Sequence, residues 1–198
     1  EVPSRMKCLV VIAHPLKASL CHSLAVVARQ TLESAGHDVD ALDLYAENFM
    51  PALTADERRH HYDLPQPPLP EARQLMDSEA IVLVFPTWWF GFPAILKGWF
   101  DRVWLPGIAF DIAPETAALI PRLSRLRHIV AITTLGSPRW VDWLVLRQPV
   151  KRILKTAIAA SCAPQARFRY LAQYSAETLD KRQFDAFATR IRRTLSSL

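Results

Sequence analysis

Glycine is scarce in this chain, with five in 198 residues. They form neither a Gly-x-Gly-x-x-Gly fingerprint nor a P-loop, so the familiar glycine-rich phosphate cradles are excluded. Apolar runs are short as well, and none approaches the ~20 residues that span a bilayer. No basic segment leads into a small-residue cleavage site, so secretion has no support and a cytoplasmic protein is expected. Cysteine is limited to Cys8, Cys21 and Cys162. Their spacing gives neither a disulfide framework nor a metal pattern, and reduced thiols are the simplest reading. Repeats, low-complexity tracts and interdomain linkers are missing too. A chain of 22.4 kDa therefore reads as one domain over 1–198, with the residues before Met6 set aside as an extension.

What is present is an ordinary globular composition, 51% hydrophobic and 22% charged. The net charge of +5 is unevenly spread. Pro121 to Tyr170 carries ten Arg or Lys residues against one acid, Asp142, whereas residues 1–70 carry six basic and nine acidic residues. A solvated basic face explains this, and so would a docking surface for a nucleotide phosphate, an anionic membrane or an acidic partner. No nucleic-acid motif accompanies the charge, so nucleic acid is not an expected partner.

The chain is organised around Ala80-Ile-Val-Leu-Val-Phe-Pro86, Thr87-Trp-Trp-Phe-Gly-Phe-Pro93 and Ala94 to Val103. Continuous apolar residues bounded by Glu79 and Pro86 suit a strand covered on both faces. Pro93 suits the start of a helix, where a missing N–H goes unnoticed. Between them, Trp88, Trp89, Phe90 and Phe92 crowd a loop at the carboxyl end of the strand. That is where open parallel sheets bind ligands, and the aromatics point to a flat one.

The remaining chain alternates strand and helix. Cys8 to Ala13 reads as a strand, followed by the loop His14 to Ser19. A helix is carried by Leu20, Leu24, Val27, Ala28, Leu32 and Ala35, with Ser19 as N-cap and Gly36 as C-terminal stop. Val39 to Leu44 is a second strand. The proline-rich stretch from Tyr45 to Pro70 excludes a long helix and leads to a short one over Glu71–Asp77. Pro106 to Pro121 reads as irregular. His128 to Thr133 is the fourth strand, with Thr134-Leu-Gly-Ser-Pro138 a loop beyond it. A long helix is expected over Trp143–Ser161, a fifth strand over Arg167–Gln173, and a last helix over Glu177–Leu195, with Ser175 near its start. The fold class is thus α/β, a five-stranded parallel sheet in the flavodoxin-like order 2-1-3-4-5 with helices on both faces. Loops after strands one, three and four meet at the switch point. The first ends at a helix N-terminus, where N–H groups and the macrodipole favour a phosphate, with Ser19, Ser23 and His14 as added donors.

His14-Pro15 with Ser19, Asp43-Leu-Tyr45 with Asn48-Phe49, Phe85-Pro86 with Trp89-Phe90-Gly91, Pro93-Ala-Ile-Leu-Lys-Gly-Trp-Phe100, Arg102-Val103, Ala109-Phe110 and Thr133-Thr134 together resemble the NAD(P)H:quinone oxidoreductases. The resemblance runs from about Lys7 to Arg193, and the block Phe85–Phe100 is its most specific part. It implies a homodimer that binds FAD or FMN, uses NAD(P)H as co-substrate and reduces a quinone or related small aromatic acceptor. By position, His14, Ser19, Leu20, Cys21 and Ser23 would hold the flavin phosphate. Pro86, Thr87, Trp88, Trp89 and Phe90 would line the ring and ribityl chain, while Thr133, Thr134, Leu135 and Gly136 would meet the ring's polar edge. Trp89 and Phe110 would stack on nicotinamide and acceptor in turn, giving ping-pong kinetics.

Two positions depart from the family pattern. Leu135 stands where the family usually has glycine. The downstream Tyr and His that often relay protons are missing from Ser137-Pro-Arg-Trp-Val-Asp-Trp143, leaving Arg139 as a candidate cation beside the ring and no certain catalytic residue. A side-chain relay typically contributes ~10²–10⁴-fold, so slow activity with simple quinones is expected rather than none. Two other readings share these residues. One is an electron-carrier flavodoxin, which the basic charge disfavours. The other is a flavin-binding regulatory subunit docked on a membrane protein.

Overall fold

The computed structural model describes residues 5–63 and 68–198. In chain order the elements are β1 (Lys7–Ile12), α1 (Leu20–Ser34), β2 (Asp38–Asp43), α2 (Ala55–Arg59), α3 (Pro70–Asp77), β3 (Ala80–Pro86), α4 (Ala94–Val103), β4 (Phe110–Ile112), β5 (Leu119–Pro121), β6 (His128–Thr134), α5 (Pro149–Arg152), α6 (Ala160–Cys162), β7 (Arg167–Gln173) and α7 (Lys181–Leu195). Five of the strands pair in parallel in the order β2-β1-β3-β6-β7, which is the expected 2-1-3-4-5 with β6 and β7 as the fourth and fifth.

The sheet has a core on each side because its central strands alternate their side chains. Leu9, Val11, Ile81, Leu83 and Phe85 pack with α3, α4 and the helix after Pro149. Cys8, Val10, Ile12, Val82 and Val84 pack with α1 and α7. Every residue of β3 and of β6 is buried, as expected of strands covered on both faces. Ser19 caps α1 by accepting from His22 N, and Gly36 follows its end with φ +85°, as anticipated.

Four stretches differ from the sequence reading. The segment after α4 is not irregular throughout, because β4 and β5 pair antiparallel as a small separate sheet. The proline-rich stretch holds the short helix α2, set by a capping box between Thr54 and Glu57. Pro65 and Pro67 of that stretch lie outside the described residues. The long helix expected over Trp143–Ser161 is broken. Val141–Val145 forms a wide π-type turn, Arg147 and Gln148 take left-handed φ values of 57° and 51°, and α5 restarts at Pro149. Proline disfavours a helical residue before it, so Gln148 leaves the helix. From Ile153 to Ala159 the turns are again π-type before α6. Lastly, α7 starts at Lys181 rather than Glu177, because Asp180 is its N-cap and forms a capping box with Gln183.

Trp99 of α4 and Trp104 at its C-cap are not surface residues. Trp99 is fully buried and Trp104 nearly so, and both join a ring cluster with Phe100, Phe92 and Phe85 at centroid separations of 5.2–5.8 Å. The apolar face of α4 is thus covered within the chain itself. Its one glycine explains the close approach of the chain after β2. A Cβ at Gly98 would stand 2.3 Å from the Pro51 carbonyl oxygen and 2.4 Å from its Cα.

Candidate functional site

The loops after β1, β3 and β6 meet at the carboxyl end of the sheet. Parallel pairing brings Pro86 beside Thr134, and Thr87 N continues the ladder by donating to Thr134 O at 2.8 Å. The hydroxyls of Thr87 and Thr133 lie 2.7 Å apart, and Cys21 Sγ sits 3.6 Å from Thr134 Oγ1. The His14 ring meets Trp88 edge-on, with 6.0 Å between centroids. The first loop is thereby tied to the third, and the second to both.

The turn in the second loop is strained. Trp88 N donates to Gly91 O at 3.2 Å and Gly91 N to Trp88 O at 2.9 Å, closing a two-residue turn with Trp89 and Phe90 at its centre. Both central residues have positive φ, 50° and 54°, where such turns normally carry Asn or Gly. Left-handed backbone at bulky residues costs on the order of 1–3 kcal/mol each and concentrates at ligand sites. The turn presents Trp89 fully to solvent and leaves Trp88 44% exposed.

Beneath this turn opens a cleft of about 430 Å³ lined by Thr87, Trp88, Trp89, Phe90, Leu135, Gly136, Ser137 and Glu177. Six of those residues were expected at the site. Ser137 and Glu177 were not. Ser137 Oγ is buried without a hydrogen-bond partner among the described residues, so it has an unused donor and acceptor at the cleft wall. Glu177 arrives from the turn before α7, close enough to Gly136 that a Cβ there would stand 3.3 Å from Glu177 Oε1. No local pattern marks Glu177. It reaches the cleft because Leu135 N donates to Gln173 O and Ala176 N to Leu135 O.

On the α1 side, Leu16 N donates to His14 Nδ1 at 3.1 Å, and partial burial holds this imidazole's pKa below its ordinary value. Ser23 Oγ donates to Ser19 O at 3.2 Å. Leu20 is half-buried against the α1–α7 core. Cys21 is 2% exposed, and burial pushes its thiol up to about 11. The thiol is thus a neutral packing group under the loop junction, and only its backbone N–H, in the first turn of α1, is left to face an anion.

A histidine beyond the expected set completes this corner. His22 Nδ1 lies 2.9 Å from Ser19 Oγ and its Nε2 lies 3.0 Å from Asp43 Oδ2. Asp43 also accepts from Tyr45 N and Ala46 N, so the end of β2 is fixed to the start of α1. Position was the available signal, since His22 is the third residue of a helix capped by Ser19.

Two expected residues stand elsewhere. Phe110 opens β4 opposite Pro121, packs on the α4 core and does not line the cleft of its own chain. Arg139 stacks over Trp143 with 4.2 Å from Cζ to the ring centroid, in a smaller recess with Tyr170, Tyr174 and Lys151. Within that recess Tyr174 OH donates to the buried Asp142 at 2.8 Å and accepts from Trp143 Nε1 at 3.1 Å. Burial raises the Tyr170 phenol far above its ordinary range.

The flavodoxin-like fold family matches residues 6–190. This chain belongs to that family. Among curated proteins it is 37% identical over 105 residues to the uncharacterised NAD(P)H oxidoreductase YcaK of Escherichia coli K12, covering 51% of this chain and 54% of that one. It is 31% identical over 150 residues to rat NAD(P)H dehydrogenase [quinone] 1, covering 66% and 54% respectively. The chain therefore spans about half the length of these relatives. Among solved structures it resembles Smu.1420 of Streptococcus mutans UA159 with a TM-score of 0.85 at 26% identity, over 98% of this chain and 100% of the other. The names of the relatives bear out the resemblance to NAD(P)H:quinone oxidoreductases. Among the described residues no helix is long and apolar enough to cross a membrane.

Proposed function

We propose that the protein is a flavin-dependent oxidoreductase that uses NAD(P)H to reduce a quinone or similar small aromatic acceptor, working as a homodimer in the cytoplasm. The observation that carries this reading is the cleft itself. It is walled by a strained aromatic turn, lined further by Thr87, Leu135, Gly136 and the unpaired Ser137 Oγ, and neighboured by the capped N-terminus of α1. That donor set fits FAD or FMN. The N–H groups of Leu20 and Cys21 with Ser19 and Ser23 suit its phosphate, Trp88 to Phe90 suit its ring, and Thr133 to Ser137 suit the ring's polar edge. Partial burial holds the His14 pKa below its ordinary value, which favours a hydrogen bond from the neutral ring over a charge. When bound, flavin supplies the hydride chemistry, and the protein supplies stacking, orientation and exclusion of water.

Trp89 is the surface against which nicotinamide and acceptor would stack in turn, and a single shared surface means ping-pong kinetics. Phe110 would serve the site only from a second chain, because its own β4 holds it away from its own cleft. The relay carried by Tyr and His in relatives has no counterpart at 137–143. Ser137 is the one hydroxyl there that lines the cleft, and it lacks a basic partner to raise its reactivity. Slow turnover with simple quinones is the consequence. The test is steady-state NAD(P)H oxidation with a benzoquinone after loading with FAD or FMN. Parallel double-reciprocal lines support the reading. Intersecting lines, or no oxidation with either flavin, contradict it.

A further inference from the structure

His22 and Asp43 take no part in the chemistry described above, yet they decide where the Ser19 hydroxyl can send its proton. A carboxylate only accepts, so the 3.0 Å contact of Asp43 Oδ2 with His22 Nε2 places a proton on Nε2. In the neutral ring Nδ1 then carries a lone pair, and the Ser19 hydroxyl, 2.9 Å away, must donate to it. Ser19 Oγ also accepts from His22 N at 3.3 Å as the cap of α1. The neutral ring thus uses up the Ser19 proton, and that oxygen has nothing to give an anion at the helix N-terminus. Protonation of the ring reverses the bond. Nδ1–H donates to Ser19 Oγ, both lone pairs of that oxygen are taken by His22, and the hydroxyl proton is released outward.

The charged neighbours of His22 are few. Asp43, at the end of β2, is its ion-pair partner, with side chains only 16% and 21% exposed, and Asp43 Oδ1 is engaged by Tyr45 N and Ala46 N. His14 of the first loop meets the ring edge-on at 6.4 Å between centroids, and partial burial holds its pKa down. The first turn of α1 carries no acid. On the strands packed against α1, Lys7, Asp38 and His128 stand at the opposite, amino ends, and Asp40 lies beside Leu9 rather than Ile12. Helix α7 reaches α1 on another face, where Val27 and Thr31 share a groove with Arg192, and its Lys181 is paired with Asp185.

We propose that His22 is a positioning residue that couples phosphate binding to the uptake of one proton, the Ser19 hydroxyl donating to the flavin phosphate when His22 is an imidazolium. The inference rests on the flavin reading above. The macrodipole disfavours a cation at this end of α1, and a bound phosphate reverses that balance, so anion and proton arrive together. The complex then holds one more proton than the free chain, and affinity rises as pH falls. Riboflavin has no phosphate and binds without the proton.

The test is the affinity of the purified protein for FMN, FAD and riboflavin between about pH 6.5 and pH 8.5, above the second ionisation of a phosphate monoester at about 6. Flavin fluorescence reads the affinity, and calorimetry in buffers of different ionisation heat reads the proton uptake. Affinity for FMN and FAD should rise roughly fivefold or more toward the lower pH, within the limit of about tenfold per pH unit for one proton, while riboflavin stays flat. His22→Gln should remove both the slope and the uptake, whereas His14→Gln should keep them. Asp43→Asn should also remove the slope, yet without weakening binding at the higher pH. Its amide donates to Nε2, moves the ring proton to Nδ1 and frees the Ser19 hydroxyl at every pH, while its Oδ1 still accepts from Tyr45 and Ala46. A corner that only holds the fold together would instead lose affinity in Asp43→Asn and keep the slope, which overturns the proposal. A slope lost in His14→Gln and kept in His22→Gln overturns it as well. Wild-type binding of FMN and FAD with neither pH dependence nor proton uptake overturns it and leaves the flavin reading standing, with no variant required. Failure to bind any flavin at any pH overturns both.

Discussion

Trp89 and Phe90 hold positive φ at the centre of a two-residue turn, a conformation that glycine adopts without strain. Replacing Trp89 by glycine therefore removes backbone strain and an exposed ring whose loss opens no cavity. Stability should change by less than about 1 kcal/mol, the relieved strain offsetting glycine's larger unfolded-state entropy. Flavin affinity should fall at least tenfold if the ring borders the ligand. Denaturant unfolding and flavin titration on the same variant check the two halves separately. A second residue-scale expectation concerns the thiols. Burial pushes Cys8 up to about 12 and Cys21 and Cys162 to about 11. A thiol reagent at mildly alkaline pH should label none of them in the folded protein and all of them after denaturation. Rapid labelling of one site would show that its surroundings open readily. A third concerns His128, which is held below its ordinary 6.5 by burial and by Arg169, Arg167 and Arg127. Below that value the unfolded chain binds more protons than the folded one, so stability is complete above it and declines as pH falls. His14 acts in the same direction. The urea midpoint should drop between about pH 7.5 and pH 5.5, and His128→Gln should reduce that drop.

At the scale of elements, the strands were the legible part. Continuous apolar runs at Cys8–Ala13, Ala80–Pro86 and His128–Thr133 can satisfy their backbone and their side chains together only in a sheet covered on both faces. Ser19 and Gly36 bound α1 because a cap and a left-handed stop act locally. Legibility failed where distant contacts or unusual backbone decide. Pro149 should have broken the long helix, yet the apolar spacing on either side of it masked the break. Glu177 and Ser137 meet in the cleft only through the pairing of β6 with β7, which no local pattern announces. The buried state of Trp99 and Trp104 depends on the ring cluster around them. Gly98 offers a direct check on packing. Gly98→Ala places a methyl group against the Pro51 backbone, which cannot swing aside as a side chain would. It should cost about 1–3 kcal/mol or more despite alanine's better helix propensity. A stabilised Gly98→Ala protein would mean that the chain after β2 sits farther from α4 than the structure places it.

At the scale of the whole molecule, the sheet order puts the switch point between β1 and β3, and three loops converge there with an aromatic turn above them. A fully exposed Trp89 beside an open cleft, with Phe110 held off its own site, is what a twofold dimer covering the aromatic turn would leave on a single chain. Sedimentation equilibrium at micromolar concentration should show two chains per particle with flavin bound, and a monomer under those conditions would remove Phe110 from the site. The central claim is that the cleft holds one flavin per chain. Titrating the purified protein with FAD and with FMN while following flavin fluorescence tests it most directly. The account predicts saturable quenching by at least one of them at one flavin per chain, with a higher melting temperature for the complex and a marked loss of affinity in Trp89→Gly. No quenching and no thermal stabilisation with either flavin would contradict it.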